Sequence, residues 1–382
     1  MSTPEAFYRR PIDLNRFSNS VSKKIITSYN EIILDVTTQL ATLDEINSPY
    51  TVARLRLLLA ELQDSLGTWS INSATVTAQE LQGLAQLQTE FVQDQLRRSL
   101  PAGFAKTLRN VSVSSDFAQS VVTTDPTKIN VFALPGEIEA AVRKGATQPV
   151  FSLTASDGAV ITLPNGETVE KAFRGLASKQ ADLFTKTVRN GLLTGETTQK
   201  IAKRLSGRLH FGNALKGSVQ QIADRGGIST KMADNQIITI VRTSINQVAN
   251  EASQKVYEAN QDVTRKYEYV ATLDSRTSLI CARLDGQKFE YGKGPTPPQH
   301  FNCRSTTVPI IDYKKLNITP PSKTKTTTRP SESGRVPQKV SYADWLAKQP
   351  RSVQSEVLGK WKSQYFVKLS KKEGPQSALR KI

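Results

Sequence analysis

At 382 residues with 38% hydrophobic side chains, the chain is long enough for two or three domains around a sizeable core. Its net charge is +17, and the stretch from Lys314 to Ile382 holds 16 Lys and Arg against 4 Asp and Glu, so most of the excess sits at one end. A basic tail on a near-neutral body points to a polyanionic partner, nucleic acid first, or else to a solvated tail; no run of about 18 apolar residues is present to form a membrane-spanning helix.

The opening residues carry no apolar stretch behind their charges, so no secretory signal is expected. The two cysteines, Cys281 and Cys303, then read as free thiols or metal ligands of a protein in reducing cytosol. Leu14, Phe17, Val21, Ile25, Tyr29, Ile32, Val36, Leu40 and Leu43 step by three or four, which predicts one long amphipathic helix with Asp13 as candidate N-cap. Ser48, with Pro49 at the first helical position, starts a second helix striped by Val52, Leu55, Leu59, Leu62, Leu66 and Trp69. Thr77 and Glu80 form a capping box for a third, carrying Leu81, Leu84, Leu87, Phe91 and Leu96. Residues 1–103 are thus a helical N-terminal region. The stripe of its first helix is long for a bundle of short partners, so part of it is a candidate surface for binding another protein.

Residues 104–165 read as a β-rich insert. Short strands are expected at Val111-Ser112-Val113, Val121-Val122, Val131-Phe132 and Ala159 to Leu163, with turns at Asp157-Gly158 and Asn165-Gly166. Helices resume at Thr168 on a face of Val169, Phe173, Leu176, Phe184, Val188 and Leu192, and stop at Leu193-Thr194-Gly195. A shorter helix covers Glu196 to Leu205, a glycine-interrupted loop Ser206 to Gly227, and a long helix follows with Ile238, Val241, Ile245, Val248, Ala252, Val256 and Ala259 in phase. Tyr267 to Leu273 reads as a strand. Residues 166–313 form a compact domain, 314–340 a Pro/Thr/Lys-rich linker, and 341–382 a helical element with a basic tail. The fold class expected is α+β: an N-terminal helical region, a β-rich insert, a compact domain and a flexible basic C-terminal arm.

The most informative stretch runs from Tyr267 to Ile310. A strand delivers Asp274, a short helix starting near Ser275 places Cys281 two turns on, and Asp285-Gly286 turns the chain. Pro297-Pro298 stiffens the approach to His300, which stands three residues before Cys303, and Val308-Pro309-Ile310 closes as a strand. Cys281, His300 and Cys303 are three candidate ligands for a structural Zn2+, with Asp274 as the fourth. The alternatives are that Asp274 caps the following helix, that the cysteines are small buried residues, and that His300 bonds loop carbonyls. A bond between the cysteines, direct or through an ion, would hold together the ends of the Gly/Pro-rich excursion, and in reducing cytosol zinc suits better than a disulfide.

The pattern D-S-R-T-S-x-x-C, L-D-G, P-P-x-H-x-N-C-R resembles the signature of the phage Mu protein F-like head morphogenesis family. It is carried by Asp274, Arg276, Thr277, Cys281, Asp285, Gly286, Pro298, His300, Asn302, Cys303 and Arg304. Upstream, Val241-Arg242-Thr243-Ser244 with Asn246 and Asn250 resembles the family's helix bearing an Arg-Thr pair, although Ser244 stands where Glu is frequent. Gly191 to Gly195 upstream and Tyr342 to Gly359 downstream are also similar to family elements, so the resemblance spans roughly residues 165 to 366. It implies a minor head protein of a tailed bacteriophage, associated with the portal vertex and acting in head morphogenesis, genome packaging or delivery. The implied places are the virion, at the capsid interior or portal vertex, and the host cytoplasm during assembly. Portal or adjacent capsid and connector proteins are the implied partners, with the stripe from Leu14 to Leu43 as their candidate contact.

An enzyme is not expected, and no catalytic residue is assigned. Cys303, His300 and Asp274 could stand as nucleophile, base and orienter, but the chain has two histidines, His210 and His300, and no glycine-rich phosphate loop. The alternative readings are a metal-dependent DNA-processing enzyme and a non-specific DNA-binding protein of the phage head. DNA contact is expected through the C-terminal arm at Lys360, Lys362, Lys368, Lys371, Lys372, Arg380 and Lys381. Trp361, Tyr365 and Phe366 interleave with these lysines, either to stack on a single strand or to pack a short amphipathic helix.

Overall fold

Three long helices carry most of the core. The computed structural model describes residues 3–43, 48–113, 151–153, 162–210, 216–320 and 327–382. Helix α1 spans Thr3–Ala41, so Asp13 lies inside it and caps nothing. Helix α2 spans Pro49–Ser99, one helix where two were expected. Ser48 caps it, its Oγ accepting the Thr51 N–H at 3.1 Å. Thr77 starts no new helix; its hydroxyl donates back to the Ser73 carbonyl at 2.7 Å. No proline or glycine interrupts residues 70–80, and the small buried Ser73, Ala74, Thr77 and Ala78 let the helix run on against the core.

After a one-turn helix α3 (Ala102–Ala105), β1 (Val111–Val113) pairs in parallel with β2 (Phe151–Leu153). The strand expected at Val111-Ser112-Val113 is therefore present. Those expected at 121–122 and 131–132, and residues 157–161, lie outside the described residues. Leu163 joins no strand, and Asn165-Gly166 turns as expected, with Gly166 at φ +79° donating to the Leu163 carbonyl. Then come α4 (Val169–Leu193, capped by Thr168), α5 (Thr198–Ser206), α6 (Val219–Arg225) and α7 (Ile228–Ala259). The glycine-interrupted stretch expected as loop thus contains a helix, α6, with its own capping box of Ser218 and Gln221. Its glycines have a tertiary reason. Gly207 crosses the start of α7 so closely that a Cβ would sit 2.3 Å from the Gly227 nitrogen.

Strand β3 (Thr264–Val270) is the centre of a three-stranded antiparallel sheet, flanked by β4 (Lys288–Glu290) and β5 (Thr306–Ile311). Pro309 is tolerated because β5 is an edge strand. Helix α8 (Leu279–Leu284) starts four residues later than expected, with Ser278 as its cap.

One apolar cluster runs from Phe7 to Val308. Val21, Ile25, Tyr29 and Leu40 of α1 are buried in it. The Trp69 ring of α2 meets Tyr29 of α1 at 5.2 Å and Phe173 of α4 at 5.8 Å, both edge-on. The stripe expected to meet a portal or connector is therefore consumed inside the molecule, and residues 1–103 are no separate unit. The far end of the chain also departs from expectation. A hairpin of β6 (Thr328–Ser331) and β7 (Gly334–Pro337) lies where a linker was expected. The helical element expected from residue 341 is present as α9 (Tyr342–Ala347) and α10 (Arg351–Leu358), and helices continue as α11 (Lys360–Glu373) and α12 (Pro375–Lys381) through the stretch expected as a basic tail. They enclose a second cluster in which Leu273 and Ala282 pack against Tyr342, Trp345, Phe366 and Leu379. Among the described residues no helix is long and apolar enough to cross a membrane.

Where α1, α4 and α7 meet, the core turns polar. The Tyr29 hydroxyl donates to Gln180 Oε1 at 3.1 Å, with Ser229 Oγ 2.9 Å away. One turn further along α7, Asp234 is fully buried, and neither carboxylate oxygen has a hydrogen-bond partner among the described residues. Burial pushes it up to about 8, offset in part by the nearby Asn30 amide, which closes no bond of ordinary length. A carboxyl raised by folding stabilises the fold fully below its unfolded value near 4, and that contribution is lost as pH rises toward about 8. Asp234→Asn should therefore raise Tm by an amount that grows from pH 4 to pH 8 and is flat above. A gain that does not change with pH in paired melting curves would show that Asp234 is ionised in the core.

Candidate metal centre

The site is built on α7. That helix presents Thr239, Arg242, Thr243, Asn246, Asn250, Gln254 and Tyr257 along one side, at spacings of three and four. Each of these reaches the segment from Asn302 to Thr307 or a residue that does. Thr243 Oγ1 accepts the Asn302 N–H at 2.9 Å, and Thr239 Oγ1 accepts from Asn302 Nδ2 at 2.9 Å. Arg242 donates to Asn302 Oδ1 at 3.3 Å, and Asn246 Nδ2 to the Cys303 carbonyl at 2.8 Å. Gln254 and Tyr257 hold the side chain and carbonyl of Thr307. A loop buried against a helix must find partners for its backbone, and this polar side supplies them. Asn302 sits at φ +60°, a left-handed conformation that asparagine tolerates, and there the chain reverses so that Cys303 N–H meets the His300 carbonyl at 3.2 Å.

That reversal carries His300 and Cys303 to Cys281, in the first turn of α8. Cys281 Sγ lies 3.2 Å from His300 Nε2 and 3.6 Å from Cys303 Sγ, and all three donor atoms lie within 4.8 Å of one another. Both thiols are buried and free. His300 Nδ1 faces the Phe301 carbonyl at 2.8 Å, so Nδ1 must donate and Nε2 is turned to the thiols. Ser278 Oγ lies 2.7 Å from Nε2, and the Tyr269 hydroxyl 3.1 Å from Cys281 Sγ. The Cys303 thiol, donating to Cys281, holds the Cys281 pKa down against the cost of burial, with His300 adding to the effect. The same hydrogen bond pushes Cys303 up, and His300 is raised by Cys281.

Asp274, expected as the fourth ligand, is elsewhere. Both its oxygens pair with the Arg304 guanidinium, and Oδ1 also accepts the Arg276 N–H and the Thr277 hydroxyl, each at 3.1 Å. It organises the turn before α8; it neither ligates nor caps a helix at Ser275. Gly286 takes φ +76° in the turn after α8, and the Pro297–Pro298 bond is cis. Asp285, in the same turn, meets a partner hidden in the expected linker. Its carboxylate accepts from Arg329 at 2.9 and 3.1 Å, from Ala271 N–H at 2.8 Å and from Tyr342 N–H at 2.7 Å. Asp285 and Arg329 are buried together, joining the C-terminal segment to the turn. His210 is exposed and stands apart from the thiol cluster. The tail residues Lys360, Lys362, Lys368, Lys371, Lys372, Arg380 and Lys381 are all exposed on α11 and α12, although Lys381 is tied to Glu373. Of the interleaved aromatics, Phe366 packs inside while Trp361 and Tyr365 face solvent.

This helix, loop and thiol cluster fall in the part of the chain that has a known counterpart. Residues 182–308 match the family described as Phage Mu protein F like protein. The stretch, about a third of the chain, is similar to that family. It takes in α7, β3, β4, the first residues of β5 and the whole Cys–His–Cys cluster. An uncharacterized protein of Haemophilus influenzae is 30% identical over 118 residues, which cover 28% of this chain and 26% of the relative. The chain thus spans about a quarter of that relative's length. No solved structure matches the chain.

Missed in the sequence were Thr239, Gln254 and Tyr257 on α7, Tyr269 and Ser278 beside the thiols, and Arg329. The first three had a readable signal, since polar residues continue the Arg242–Asn246–Asn250 spacing in both directions. Arg329 had none, because it sits in a Pro/Thr/Lys-rich run without periodicity.

Proposed function

We propose that this is a minor head protein of a tailed bacteriophage, acting at the portal vertex in head morphogenesis and in genome packaging or delivery, with a structural and not a catalytic role. The observation that carries the reading is the similarity of residues 182–308 to the Mu protein F-like family. The motif residues within it act as architecture: Arg242, Thr243 and Asn302 fix the loop, and Asp274 pairs with Arg304. With an affinity tag on the phage gene, purified particles should contain the protein at a small fraction of the major capsid protein. Deleting the gene should reduce DNA-filled, infectious heads. Particles lacking the protein, together with a normal yield from the deletion phage, would refute the assignment.

Cys281, His300 and Cys303 are proposed to hold one structural zinc. Tetrahedral zinc places its sulfur and nitrogen ligands about 3.5 to 3.8 Å apart, close to the separations of 3.6 and 3.2 Å found here. The Nδ1–H bond to Phe301 is the outer contact that a ligating imidazole requires. Elemental analysis of protein purified under reducing conditions should find about one zinc per chain, lost in Cys303→Ser along with several degrees of Tm. Metal-free wild-type protein that melts as it does with zinc would overturn this.

The exposed basic residues of α11 and α12 are proposed to contact phage DNA without sequence preference. Replacing Lys360, Lys362, Lys368, Lys371 and Lys372 with Gln should weaken duplex binding at low salt and flatten its salt dependence, by about 0.9 in log–log slope for each phosphate no longer neutralised. Binding unchanged by the five substitutions would assign this surface to solubility.

A further inference from the structure

The Mu protein F-like signature contributes two arginines that the loop architecture does not use up. Between α1 and the turn before α8 lies a cleft of about 240 Å³, lined on one wall by Tyr8, Pro11 and Ile12 and on the other by Arg276, Arg304 and Pro330. A smaller recess adjoins it, sharing Pro11, Asn15 and Arg304 and reaching Arg242. Arg304 is neutralised by Asp274. Arg242 meets no carboxylate among the described residues: its guanidinium donates to the amide oxygens of Asn302 and Asn19, and its buried Nε has no partner there. Arg276 is exposed at the cleft, and its guanidinium has no hydrogen bond or ion pair among the described residues. The three guanidiniums are close enough that Arg304 and Arg276 add to burial in lowering Arg242 to about 10. Glu332, the other acid on the cleft wall, is engaged by the Ser275 N–H at 2.8 Å. Arg329 is spent on Asp285.

Asp274 offsets Arg304, but Arg242 and Arg276 have no carboxylate of their own among the described residues, so an anion brought beside them relieves like-charge repulsion. The apolar wall narrows the class of anion. A duplex backbone is broad and convex, and it favours a flat basic face of the kind α11 and α12 offer. A narrow recess with a proline, a tyrosine and an isoleucine that is 38% exposed fits a side chain with an apolar neighbour.

We propose that this cleft receives an acidic peptide segment of a partner protein, its Asp or Glu carboxylate seated against the exposed guanidinium of Arg276 beside Arg304, with an adjoining apolar side chain against Tyr8, Pro11 and Ile12. Arginine forks bind carboxylates through paired charge-assisted hydrogen bonds, and a peptide that also buries an apolar residue gains affinity that a free anion lacks. The cleft would thus be a docking site for an acidic-apolar motif, independent of the metal and of the basic tail.

Panning a randomised octapeptide library on the full-length protein, followed by anisotropy titration of the enriched peptide, tests this. Enriched sequences should carry Asp or Glu beside an apolar residue, and changing that acid to Gln or Asn should weaken binding about tenfold or more. Arg276→Gln should have a similar effect. So should Ile12→Glu, which puts a negative charge on the apolar wall. Both positions are exposed, so circular dichroism and Tm should stay as in the wild type. No enrichment of acids, or affinity indifferent to both variants, would overturn the proposal. Inorganic phosphate or a 12-nucleotide DNA that binds in an Arg276-dependent way while no peptide does would overturn it as well, and would reassign the cleft to phosphate.

Discussion

The buried polar side of α7 is the constraint on which the rest of this molecule depends. One side of the helix is apolar and closes the core with α1, α2 and α4. The other must satisfy an irregular loop that is largely buried. Thr239, Thr243, Asn246, Gln254 and Tyr257 all donate to or accept from residues 302–307. A buried loop without these partners would leave several backbone and side-chain groups unpaired, each at a cost of roughly 1 to 3 kcal/mol. The thiol cluster, the edge strand β5 and the Arg304–Asp274 pair all follow in the chain from the geometry that this side imposes.

A second buried pair extends the domain. Asp285 and Arg329 are both almost wholly inaccessible, and the carboxylate also takes backbone N–H groups from Ala271 and Tyr342. With that many partners the desolvated charges are compensated, whereas losing one of them would strand the other. The consequence is organisational. A hairpin and four helices, which in composition look like a tail, are fastened to the turn after α8 and complete the cluster around Tyr342 and Trp345.

The molecule also divides its positive charge between two settings. On α11 and α12 it is solvated, spread along exposed helices and accompanied by Trp361 and Tyr365. Around Arg242, Arg276 and Arg304 it is crowded and partly buried. Solvated charge is screened within about a Debye length and suits extended, exchangeable contact. Charge in a recess is screened less and suits a defined ligand.

Much of the local structure was legible in the sequence, because local signals are short-range physics. Apolar spacing marked α1, α4 and α7, Ser48 marked a cap, and the motif from Asp274 to Arg304 carried the family resemblance and brought Cys281, His300 and Cys303 forward as a set. The misreadings share a cause. The Thr77–Glu80 pattern is a sound capping box in isolation, but continuous packing along α2 kept the chain helical through it. The α1 stripe is as consistent with a partner's surface as with the chain's own core, and only the docking of α2, α4 and α7 decided between them. Asp274 has ligand chemistry, yet Arg304, 30 residues away in sequence, is nearer in space than the thiols. Arg329 lies in a run whose composition resembles a linker, and a buried carboxylate 44 residues upstream makes it structural. Sequence fixes propensity and pattern, which depend on neighbours along the chain. Which face is covered, and which charge meets which, depends on desolvation and contact between distant segments, and that is decided only when the tertiary structure closes.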